Sequence, residues 1–120
     1  MRSHIAAILT VSLLLGRAAG AVELSQSAGI GANLCAQFTK AYIENPANAE
    51  DLYWSWAMGM MSGMNLASIA NSIVFRDLTG DRDIYRRATR SFCNAHPLTT
   101  YAGAILDVYV SFPLKKTTSR

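Results

Sequence analysis

Cysteine, histidine and proline are scarce in this chain of 120 residues, which holds two cysteines, two histidines and three prolines. One histidine, His4, lies in an N-terminal stretch that looks like an export leader, leaving His96 as the sole histidine beyond it. A metal centre there would need carboxylates or cysteines to complete its ligand set, and no such cluster stands out. Charge is thin as well: no Asp, Glu, Lys, Arg or His occurs between Leu52 and Phe75. No catalytic motif, internal repeat or low-complexity tract is present, and the scattered carboxylates single out no pair for acid–base work. The expectation is a protein without cofactor or metal and without enzymatic activity.

The leader itself is well marked. Arg2 opens a positive region, Ile5 to Leu15 form an apolar core, and Ala19-Gly20-Ala21 supplies the small residues behind which a signal peptidase cuts. Residues 1–21 are thus expected to be a signal peptide, with Val22 opening an exported, periplasmic chain. Arg2 and Arg17 leave with the leader, so nine basic residues face eight acidic ones and the net charge falls to about +1. That near-balance argues against nucleic acid or an anionic membrane as partner. In an oxidising compartment, Cys35 and Cys93 are expected to form a disulfide. Such a bridge closes a loop of almost 60 residues and contributes roughly 4 kcal/mol in the chain-entropy account.

Apolar spacing predicts one all-helical domain over residues 22–120, a bundle of about four helices. Residues 22–31, rich in Ser, Gly and Ala, are expected to be a loose arm. Asn33 is placed as the cap of a first helix carrying Leu34, Phe38, Ala41 and Tyr42, which Asn45-Pro46 stops. Asn48 precedes Ala49-Glu50-Asp51, a cap followed by acids in the first turn, and opens a second helix running to about Ile73. After a turn over residues 76–81, Asp81 or Asp83 starts a third helix with Ile84, Tyr85, Ala88 and Phe92 on one face, ending at His96-Pro97. Thr99 or Thr100 caps a fourth, bearing Tyr101, Ile105, Val108 and Tyr109. Residues 114–120 form a polar tail.

The uncharged stretch from Leu52 to Phe75 is long enough to cross a bilayer, but its many Ser, Asn and Gly residues argue against a span. It is expected instead to be a central helix surrounded by the others. Within it Ser55, Gly59, Gly63 and Ala67 recur every fourth residue, and Gly59 and Gly63 are expected to admit a close helix neighbour. Tyr53 and Trp54 adjoin one another and cannot point the same way, so one of them is the expected anchor for a partner. Arg82, Arg86 and Arg90 recur at four-residue steps with Arg87 adjacent, an arginine face suited to an acidic protein partner or paired with Asp83 across a turn.

The run Ala57-Met58-Gly59-Met60-Met61-Ser62-Gly63, with Leu34-Cys35 before it and Phe92-Cys93-Asn94-Ala95-His96-Pro97 after it, resembles the small exported Rap/Tai immunity proteins. Gly59 and Gly63 match that family's two central glycines, Cys35 and Cys93 fall where two of its cysteines belong, and Tyr109-Val110 near Pro113 resembles its end. Ala57 stands where the family has a central cysteine, and Met60-Met61 replaces Tyr-Ile. The resemblance implies an all-helical periplasmic protein that blocks a type VI secreted peptidoglycan amidase. In size and in its single wide-spaced cysteine pair the chain is also similar to HdeA-type acid-stress chaperones.

Overall fold

The computed structural model describes residues 28–72 and 74–117. The leader, the first part of the arm expected over 22–31, Ile73 and the end of the polar tail lie outside the described residues. Four helices appear in the expected order: α1 (Cys35–Glu44), α2 (Pro46–Asn71), α3 (Arg82–Ala95) and α4 (Tyr101–Ser111). Two short strands, β1 (Val74–Arg76) and β2 (Leu114–Lys116), pair antiparallel with Phe75 opposite Lys115. The protein is a small helical bundle in which the Cys35–Cys93 disulfide joins α1 to α3, with Cα atoms 4.7 Å apart.

The start of α1 is tied by more than sulfur. The N–H groups of Cys35 and Ala36, which the helix cannot satisfy internally, donate to the carbonyls of Thr99 (2.7 Å) and Pro97 (3.0 Å) in the loop between α3 and α4. Tyr101 N–H returns the exchange by donating to Asn33 C=O at 2.7 Å. Asn33 is therefore occupied as a bridge and does not cap α1; its side-chain amide donates to the Tyr53 hydroxyl at 2.9 Å. Leu34 takes the N-cap position, with its N–H donating to Gln37 Oε1 at 2.7 Å.

Asn45 closes α1 and opens α2. Its N–H donates to Ala41 C=O, its carbonyl accepts from Ala49 N–H, and its side chain accepts from Asn48 N–H at 3.3 Å. The second helix thus starts at Pro46, two residues before the expected Asn48 cap, because proline fits the first helical position, where no N–H is needed. Asp81 and Thr100 cap α3 and α4 through their side chains, at 2.9 Å to Asp83 N–H and 3.2 Å to Gly103 N–H.

The core gathers Phe38 from α1, Tyr53, Trp54, Ala57 and Met61 from α2, Cys93 from α3, and Tyr101, Ile105 and Val108 from α4, with Phe112 beyond it. At its centre the rings of Phe38, Tyr53 and Tyr101 form a triangle with centroids 4.8–5.0 Å apart. Burial pushes the Tyr101 hydroxyl above its ordinary range, with Glu50 and Tyr53 adding to the rise.

Three expectations are corrected. The part of the arm that is described folds as a 3-10 turn, Gly29–Ala32, because Gly31 seats against the face of Trp56 where any Cβ would overlap the indole. The tail is not wholly free, since Leu114–Lys116 pair with β1. Nor is α2 surrounded: α1, α3 and α4 are roughly half its length and cover one side of it, so Ser55, Gly59, Gly63 and Ala67 face outward. A Cβ at Gly59 or Gly63 would meet nothing within 4 Å, so neither glycine packs a helix within the chain.

Beyond the bundle, α2 is backed by the strand pair. Asp77, just after β1, receives Lys115 Nζ at 2.7 Å and both the hydroxyl and the N–H of Thr79, at 2.6 and 3.0 Å. The lysine and the two threonine bonds lower its carboxyl from 3.8 to about 2. A carboxylate depressed on folding stabilises fully above its unfolded value and loses that contribution as pH falls through the folded one. The protection of the amides across the Phe75–Lys115 pair, taken relative to an unstructured chain at the same pH, should therefore fall on acidification from 3.8 toward about 2, and Asp77→Asn should show low protection that no longer changes over this window. Gly31→Ala should lower stability by about 1–3 kcal/mol in urea unfolding, through overpacking against Trp56.

Candidate binding surface

The arginines of α3 do not form a free basic face. Arg90 Nη1 donates to Glu50 Oε2 of α2 at 2.7 Å, and its guanidinium lies 5.0 Å from the centre of the Tyr42 ring on α1. Arg86 reaches Asp51 at 4.0 Å and covers the Trp54 ring at 5.7 Å. The carboxylates that Arg86 and Arg90 meet are thus on the neighbouring helix; Asp83, the partner expected within α3, instead gives its N–H to the Asp81 cap. Arg82 and Arg87 are exposed. Helical periodicity groups Arg82, Arg86 and Arg90, but only the fold shows that the acids of α2's first two turns lie opposite.

Tyr53 and Trp54 are both buried, at 5% and 4% exposure, and neither can anchor a partner. Successive helix residues are about 100° apart, and the arc of α2 covered by its neighbours is wide enough for both. Trp54 Nε1 and Arg86 Nε are enclosed without a hydrogen-bond partner among the described residues. His96 is exposed; its ring stacks on Phe92 with centroids 4.3 Å apart, and Nδ1 lies 3.0 Å from Phe92 C=O. That contact holds the ring at the end of α3. Among the described residues no group of three His, Cys, Asp or Glu side chains converges on a metal-sized site, and no helix is long and apolar enough to cross a membrane.

What the fold does build is a row of three adjoining hollows along the seam of α1 and α3, the last reaching the start of α2, which together make a trough. Its first section, about 390 Å³, is walled by Ala36, Thr39, Lys40 and Ile43 on one side and Asn94 and Pro97 on the other, with Cys93 in its floor. A second section of about 320 Å³ shares Thr39, Ile43 and Asn94 and continues to Tyr42 and Arg90. The third, about 340 Å³, shares Tyr42 and Arg90 and ends among Glu50, Asp51, Asp83 and Arg86 beside the start of α2. The trough is apolar over the disulfide and ionic at the far end. Ile43, 75% exposed, stands on its rim, and Thr39 Oγ1 bonds Asn94 Oδ1 across it at 3.3 Å.

Of the trough residues, Arg86 and Arg90 belong to the arginine row picked out in the sequence, whereas Thr39, Lys40 and Ile43 did not stand out there. Ile43 lies one position off the apolar stripe of α1, and a single exposed isoleucine is an ordinary surface feature that the sequence alone does not mark as a site. Comparison with protein-family models, curated proteins and solved structures finds no match for this chain.

The ionic end also supports the fold. Glu50 is 13% exposed, so Glu50→Ala strands a half-buried guanidinium and should destabilise by about 2–3 kcal/mol. Lys40→Ala, which removes the exposed Lys40–Glu44 pair, should change stability by less than about 0.5 kcal/mol. Urea midpoints of the two variants check the contrast.

Proposed function

We propose that the chain is an exported, non-enzymatic binding protein of the immunity type, which occupies and blocks a secreted peptidoglycan amidase in the periplasm. The observation that supports this most is the trough. It is a preformed concave surface, apolar over its disulfide floor and ionic at one end, which is the mixture that peptide-like protein segments fill. The order of Cys35, Gly59, Gly63, Cys93 and Pro97 along the chain, shared with the Rap/Tai immunity proteins, adds the address and the class of partner.

Periplasmic co-expression with type VI secreted amidases tests this reading. The wild-type chain should prevent lysis by one of them and co-purify with it. Ile43→Arg, a change at a solvent-facing position that leaves the core intact, should weaken the complex at least about tenfold, equivalent to about 1.4 kcal/mol. Undiminished protection by Ile43→Arg would remove the trough from the reading, and lysis with every amidase would remove the inhibitor role.

One observation favours a second reading, that of an acid-activated chaperone. The β1–β2 pair is clipped by a carboxylate that gives way only near pH 2, and Phe112, buried just before β2, would follow the strand outward. A surface-hydrophobicity dye separates the two readings, since the chaperone should bind dye and suppress client aggregation on acidification while the inhibitor needs neither.

A further inference from the structure

The two-stranded sheet has two outer edges, and they differ. On β1, Arg76 N–H donates to Asn65 Oδ1 at 2.9 Å and Arg76 C=O accepts from Asn65 Nδ2 at 2.8 Å. Val74 N–H donates to Ser72 Oγ at 3.0 Å. Both residues thus turn their backbone groups away from β2. The bonds between strands run through Phe75 opposite Lys115 and through Asp77 N–H to Pro113 C=O at 2.8 Å. An antiparallel ladder alternates inward and outward pairs. Leu114 and Lys116, opposite Arg76 and Val74, therefore point their N–H and C=O groups off the far edge of β2. Side chains blunt the edge of β1. The edge of β2 is exposed along its length, and no further strand among the described residues lies beside it.

The chemistry of that edge is cationic and apolar. Leu114 and Lys116 share one face by the two-residue period of a strand, and both are exposed. Lys115 lies on the other face, bound to Asp77, while Arg76 on β1 is turned to the Phe112 carbonyl. Three cations stand here against the single carboxylate of Asp77.

We propose that the outer edge of β2 is a docking site for an extended acidic segment of a partner protein. The segment adds as a strand, taking backbone bonds from Leu114 and Lys116 and setting an apolar side chain over Leu114 and a carboxylate at Lys116. A second copy of the chain fits this edge poorly. The antiparallel register that uses both outward-facing residues, 114 against 116, sets Lys115 directly against Lys115, and like charges opposed across strands repel. The site is separate from the trough and does not rest on the inhibitor reading.

A capped peptide Ser-Val-Ser-Glu-Ser, which sets Val and Glu two residues apart on one strand face, with the same peptide carrying Lys for Glu as control, probes the edge by amide exchange in isotope-labelled protein. The acidic peptide should slow exchange at Leu114 and Lys116 by about tenfold or more and the basic one should not. Lys116→Glu should reverse that preference. Lys116→Pro, which deletes an outward N–H and spares the pairing with β1, should abolish protection with helical content unchanged; the glutamate variant carries the test alone where the proline variant does not fold. Equal binding of both peptides, or no change at either amide at millimolar peptide, overturns the proposal. So does slow exchange before peptide is added, which would put the chain's own terminus on the edge, or a concentration-dependent dimer that Lys116→Glu strengthens.

Discussion

The structure depends on how the first turn of α1 is held. A helix start leaves its first N–H groups without internal partners, and in a domain this small an isolated ten-residue helix is not stable in water. Here those donors are taken by carbonyls of the loop that leads into α4, and the Tyr101 N–H at the start of α4 is taken in turn by Asn33. The disulfide fixes the same turn of α1 to the last turns of α3. Two stretches far apart in sequence, residues 33–36 and 93–101, are thereby locked at one point by a disulfide and directional bonds. The aromatic triangle of Phe38, Tyr53 and Tyr101 then packs directly behind that point.

The trough follows from this lock. Because Cys35 and Cys93 bring α1 and α3 together at one end, the two helices leave a furrow along the rest of their length. Asn45 turns the chain sharply into α2, which sets the Glu50 and Asp51 side chains against Arg90 and Arg86 and closes the far end with ion pairs. The covalent floor and the ionic end both resist collapse of the furrow. A concave surface held open in this way loses little entropy when occupied, which favours binding without rearrangement.

Helix periodicity and caps made the four helices, their order and the disulfide legible in the sequence, since these rest on local chemistry: Pro46, Asp81, Thr100 and a single cysteine pair. Burial depends on neighbours, and there local reasoning was weaker. Tyr53 and Trp54 are adjacent, yet both are enclosed because α2 is covered over a wide arc. Gly59 and Gly63 form a small-residue stripe, yet nothing covers it because the other helices are too short to reach round. The strands were hidden for a related reason. Three-residue strands carry almost no periodicity, and β1 exists because the Asn65 amide on α2 stands in for a neighbouring strand.

That last device has an electrostatic counterpart. A chain with a formal net charge of +3 acquires a directional surface if one set of cations is neutralised in place and another is not. Glu50 and Asp51 neutralise Arg90 and Arg86, which leaves Arg82 as the exposed end of the row that helical periodicity marks as basic. Of the two lysines of β2, Asp77 pairs with Lys115 and not with Lys116. Lys116 on β2, and Arg82 and Arg87 on α3, keep their charge exposed. The positive surplus thus sits on the strand edge and the outer turns of α3, away from the apolar floor of the trough. Screening at physiological salt extends over about 8 Å, so these cations steer an acidic segment only at close range. The same fold therefore separates a concave surface whose charges are largely paired from a cationic backbone edge.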